Sequence, residues 1–114
     1  MSALYTQIGN LVEQAAPPAD GIFSRTLFDD DQVKTVIFGF GQGEELSEHT
    51  ASMPAILQLI QGKATLTLGK DTVESEAGAW IHMPAELPHS IRATTPVVML
   101  LLLLKKSTPA GDQP

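Results

Sequence analysis

The stretch Gly78-Ala-Trp-Ile-His-Met-Pro-Ala-Glu-Leu-Pro-His-Ser-Ile91 holds one short run at 80–83 and opens another at 89–93, around a loop bounded by Pro84 and Pro88. Such runs are too short for helices and fit strands. Proline lacks the N–H that a paired ladder needs, so the segment between them reads as a connection. Upstream, Gly43-Glu-Glu-Leu-Ser-Glu-His-Thr-Ala51 also opens on a glycine and carries a histidine, His49, and a strand candidate at 55–61 follows, stopped by Gly62-Lys63.

Working outward, the same texture continues in both directions. Residues 22–28 and 33–40 are strand candidates joined through Asp29-Asp30-Asp31, and 64–68 and 72–76 flank the hairpin turn Gly69-Lys70-Asp71. The last candidate, 97–104, is apolar at every position, as expected of a strand buried on both faces or lying in an interface. Only the beginning differs: Leu4, Ile8, Leu11, Val12 and Ala15 recur at helical spacing before Pro17-Pro18, which predicts a short helix over 2–15. Eight to nine short strands with regular turn signals predict an all-β sandwich or closed barrel. The expected organisation is a helical or arm segment at 1–18, a barrel at 19–106 and a flexible tail at 107–114.

Composition narrows the function. With 43% apolar and 18% charged residues in 114, the chain can build one core. A formal charge of −6 and the lack of any basic face exclude nucleic acid as the main partner. The longest apolar run falls far short of a membrane span of about 20 residues. Without cysteine there is neither a disulfide nor a thiolate ligand or nucleophile; with no secretory leader pattern, the expected location is the cytoplasm. The glycines at 39, 41 and 43 precede two glutamates rather than Gly-Lys-Ser/Thr, so they make no phosphate loop.

Three histidines remain as nitrogen donors: His49, His82 and His89. Gly43 and His49, then Gly62, and then Gly78, Pro84 and His89 resemble, in order and spacing, the two motifs of the cupin family. Ala51 stands where the first motif has its second histidine, and Ala55 falls where it has glutamate. In the second motif Glu86 replaces a glycine and Ala93 an asparagine. The resemblance covers about residues 33–104 and implies a jelly-roll (double-stranded β-helix) barrel with a short N-terminal helix. It also implies a partial metal site on His49 and His89 that could take Fe, Mn, Ni, Cu or Zn, and a homodimer. For a third ligand, Glu45 and Ser47 share the parity of His49 if that segment is extended. His82 reads as a surface or interface residue.

Two functions are compatible with these residues. The first is a small-molecule binder whose pocket is formed by His49, His89, Ala51, Ala55, Leu57, Leu59 and Met83, with Ile91 beside them; mostly apolar pockets with a few polar groups suit such ligands. The two alanines would leave room in it. The second is a metal-dependent enzyme of dioxygenase or isomerase type acting on a small organic acid, sugar or phenolic substrate. A catalytic metal needs a third donor near the two imidazoles, so donor count separates the two.

Overall fold

The computed structural model of the protein describes residues 4–105. Nine strands follow a single 3-10 turn, Val12–Gln14: β1 Ile22–Asp29, β2 Val33–Phe40, β3 Glu45–His49, β4 Ala55–Gln61, β5 Lys63–Leu68, β6 Asp71–Glu76, β7 Trp80–Met83, β8 His89–Ala93 and β9 Val97–Leu104. They form two antiparallel sheets, β1-β2-β9-β4-β7 and β3-β8-β5-β6. The arrangement is the expected all-β jelly roll.

Period-two alternation explains why these residues fold this way. Ala55, Leu57 and Leu59 of β4 and Ala64 and Leu66 of β5 point between the sheets, where they pack with Phe40, Met83, Ile91, Val97 and Met99. Among the described residues no polar side chain is buried. The wholly apolar β9 has an equally simple cause. It lies between β2 and β4; Val97 and Met99 face the inner core, whereas Val98 and Leu100 join an outer cluster with Ala15 and Ile37.

The N-terminal arm supplies that outer cover, with Leu11 and Val12 against the cluster. The predicted helix over 2–15 is not formed; one 3-10 turn takes its place, and residues 2 and 3 lie outside the described part. Gly9 and Asn10 are poor helix residues in the middle of a segment too short to be stable alone. Asn10 Oδ1 instead accepts the Glu13 N–H at 3.3 Å. Leu4 is fully exposed, so its half of the segment has no packing surface to repay helix formation. The tail expected at 107–114 lies outside the described residues.

At the β1–β2 turn the Asp30 carboxylate accepts the N–H groups of Val33 at 2.9 Å and Gln32 at 2.8 Å. These two bonds, ahead of nearby Lys105, hold its pKa below the usual carboxylate value. No helix among the described residues is long and apolar enough to cross a membrane.

Candidate functional site

One end of the barrel holds the two histidines that the motifs single out. His49 closes β3 and His89 opens β8, and the two are direct cross-strand partners. Their ring centroids are 4.2 Å apart with the planes at 57°. The pairing depends on an irregularity in β3. Leu46 pairs with Ile91 and His49 with His89, so Ser47 and Glu48 together oppose Ser90. This one-residue bulge puts His49 on the same side as Leu46, which strict alternation would forbid. Glu45 and Ser47 therefore do not share the face of His49. Glu45 pairs with Arg92 and is exposed, and neither residue supplies a third ligand at the imidazoles.

Both rings are fixed by the backbone. His49 Nδ1 lies 2.8 Å from the carbonyl oxygen of Ser47, and His89 Nδ1 lies 2.8 Å from that of Leu87. A carbonyl only accepts, so each Nδ1 must carry the proton, and in the neutral ring the lone pair is left on Nε2. The two imidazoles thus offer a pair of like acceptors.

The loop between β7 and β8 is tied down on both sides. Glu86 N–H donates to the Ala51 carbonyl at 2.8 Å, and Gly69 N–H donates to that of Pro88 at 2.8 Å. Glu86 has φ +69°, a left-handed conformation at the third position of the Pro84–Leu87 turn; such turns favour glycine there. Replacing Glu86, which is exposed, by glycine should raise stability by about 1 kcal/mol, the usual left-handed penalty less glycine's extra chain entropy. A thermal melt showing no increase in Tm for Glu86→Gly would contradict this.

Beneath the rings lies a cavity of about 50 Å³, measured as the space open to the centre of a water-sized sphere. Among the described residues, its polar lining residues are His49, His89 and Ser90; Phe38, Leu46, Leu57, Leu66, Leu68, Met83, Ile91, Met99 and Leu101 complete the wall. Of the predicted pocket residues, His49, His89, Leu57, Met83 and Ile91 line this space. Ala55 and Leu59 sit in the buried core, and Ala51 lies half-buried beyond β3. The alternation of β5 could have pointed to Leu66 and Leu68. Met99 lies in a run with no polar residue to reveal which side faces inward. His82 is exposed on β7, opposite Ile56 and away from the pair.

Among the described residues, no three His, Cys, Asp or Glu side chains come together as a metal-binding group. A wider, open concavity of about 510 Å³ lies outside the barrel between Leu4, Tyr5, Thr6, Ile8, Phe28 and Thr35, and contains neither imidazole nor carboxylate.

Comparison with known proteins agrees with this architecture. A conserved protein of unknown function from Streptococcus pyogenes has a TM-score of 0.81 and 25% identity, covering 93% of each chain. A cupin superfamily protein from Desulfitobacterium hafniense superposes with a TM-score of 0.79 at 23% identity, over 84% of this chain and 88% of that one. KdgF from a Halomonas species gives a TM-score of 0.69 at 19% identity, over 76% and 82% respectively. No curated protein matches the chain. The family model described as "Cupin domain" matches residues 36–103, a span that runs from within β2 to within β9 and contains His49 and His89, and the chain belongs to the cupin family.

Proposed function

We propose that this cupin binds a small ligand at the barrel mouth, with the His49–His89 pair as its polar anchor. The observation that carries this reading is the shared geometry of the two rings: centroids 4.2 Å apart, each Nδ1 committed to a backbone carbonyl, each Nε2 left available. An otherwise apolar wall with one convergent polar group suits recognition. The metal-dependent enzyme reading is the weaker one, because no third His or carboxylate donor among the described residues joins the pair. Cavity size limits the ligand. With about 50 Å³ open to the centre of a water-sized sphere, the space takes an ion or a small organic molecule rather than an extended chain.

Long-range ¹H–¹⁵N NMR at a pH where imidazole is neutral tests the proposal. Both rings should show the Nδ1–H tautomer, and a binding probe drawn from Zn(II), Cu(I) or few-atom organic fragments should shift both Nε2 signals together. His49→Ala should weaken that probe at least tenfold. Probes that bind while leaving both rings untouched would defeat the reading.

We also propose that two copies pair through the outer face of the five-stranded sheet. Ile56, Leu102 and Leu104 are only half-buried there, beside Trp80 at 57% exposure. Apolar surface of this kind favours association. Light scattering should give twice the monomer mass, and Trp80→Glu together with Leu102→Glu should give the monomer; a monomeric parent protein would rule the pairing out.

A further inference from the structure

The outer face of the five-stranded sheet carries one titratable group in an otherwise uncharged row. His82 pairs with Ile56, Ile56 with Leu102, Leu102 with Thr35, and Thr35 with Phe28. Cross-strand partners project to the same side, so this row crosses all five strands. It is exposed at His82 and half-buried elsewhere. In the adjacent row Trp80, Gln58, Leu100 and Ile37 are uncharged too, and the first charge is Arg25 on β1. At about 4.8 Å per strand, Arg25 lies roughly 19 Å from β7, where salt screens it.

Other charged and titratable groups surround this face without entering the row. Glu13 and Tyr5 are exposed on the arm, whose Leu11 and Val12 pack over Ile37, Val98 and Leu100. Lys105, just after β9, is paired with Asp29. Glu76 ends β6 in the other sheet, and Glu86 sits in the loop strapped to Ala51. The row itself holds no carboxylate to compensate a proton on His82.

We propose that His82 makes the pairing of two copies through this face pH-dependent, allowing it when the imidazole is neutral and opposing it when the imidazole is protonated. This rests on the sheet-face pairing proposed above. A second copy suits the row because a twofold interface sets each patch against itself, so every charge on the patch meets its own like. A chain of net charge −6 avoids that conflict only on a surface free of uncompensated carboxylates, as this row is. Protonated His82 would bring two cations into the contact, beside Ile56 and Trp80. An imidazolium buried there must lose either its water or its proton. Imidazole is the side chain that gains its proton between pH 8 and pH 5. The monomer then binds protons that the dimer excludes, so falling pH favours the monomer.

The test is sedimentation velocity on the full chain, over a concentration series at pH 8.0 and pH 5.5, beside His82→Gln and His82→Lys. With two imidazoles per dimer, the parent's dissociation constant should rise about 100-fold between those pH values. His82→Gln keeps a neutral polar side chain and should change less than about threefold. His82→Lys carries the charge at both pH values and should pair at least about 30-fold more weakly than the parent at pH 8.0. Each variant is compared only where its thermal melt matches the parent's. A parent constant that moves less than threefold, or a His82→Gln variant as pH-sensitive as the parent, overturns this inference and leaves the pairing standing. A parent that is monomeric at pH 8.0 brings down both.

Discussion

Gly62→Ala should destabilise the protein by roughly 3–5 kcal/mol, from backbone strain of about 1–3 kcal/mol and overpacking of similar size. Gly62 is the single residue between β4 and β5, where the chain leaves one sheet for the other. Its φ is +92°, a conformation that L side chains rarely adopt. A Cβ there would clash with the Pro96 carbonyl oxygen and lie 3.0 Å from both Thr95 Oγ1 and Val97 Cγ2. The obstruction cannot move aside, because Lys63 is bonded on both sides to the same segment. Its N–H donates to Thr95 Oγ1 at 2.9 Å, and its carbonyl accepts from Thr94 N–H at 2.9 Å. The melting temperature should fall by about 12–20 °C.

Gly78→Ala is the matched control: Gly78 has φ +100° but nothing within 4 Å of its missing Cβ. It should show the backbone penalty alone. Equal losses in the two variants would mean that crowding at the Gly62 corner contributes nothing.

The second large effect is expected at Gly39, on the outer side of β2. A Cβ at this position would stand 2.5 Å from the Ala15 carbonyl oxygen, 3.1 Å from that of Ala16 and 3.2 Å from Pro17 Cα. Those are all main-chain atoms of the arm, which crosses directly over the glycine. Gly39→Val suits a strand by propensity, so the substitution isolates the steric conflict. The arm should lift, uncovering Ile37, Val98 and Leu100 and taking Leu11, Val12 and Ala15 out of their contacts. Losing the burial of those three side chains should destabilise by about 2–4 kcal/mol.

Hydrogen exchange gives the local readout. The Gln14 and Ala15 amides, bonded to Leu11 O at 3.0 Å and Val12 O at 3.4 Å, should lose protection, while the histidine Nε2 signals stay put. Unchanged protection at those amides would show that the arm does not depend on the close approach at Gly39. The two glycines thus separate a fault in the barrel corner from a fault in its outer cover.

How much of this could be read from the residues alone varied with how local the cause was. Strands β4, β8 and β9 begin directly after a proline, and β2, β4 and β7 end directly before a glycine or proline, because side-chain period and turn chemistry act within a few residues. The glycine, proline and histidine spacing likewise carried the family and drew attention to His49 and His89. For the arm, spacing predicts a helix that does not form, because spacing records a potential apolar face but not whether a surface exists to receive it. Gly9 and Asn10 weaken the segment, and only Leu11 to Ala15 find the outer cluster.

The site needed tertiary information throughout. Counting along the sequence turns His49 away from Leu46; the bulge at Ser47 and Glu48 turns it back, and only pairing with β8 shows that bulge. The left-handed backbone of Glu86 is imposed by the straps from Ala51 and Gly69, not by a residue that prefers it. Met99 sits in a featureless apolar run, so its place in the cavity wall emerges only when β9 is placed between β2 and β4. Local chemistry fixed the strands and the order of the motifs. Which side chains share the cavity was decided by register and sheet packing, because those bring together residues that are up to 63 positions apart in the chain, from Phe38 to Leu101.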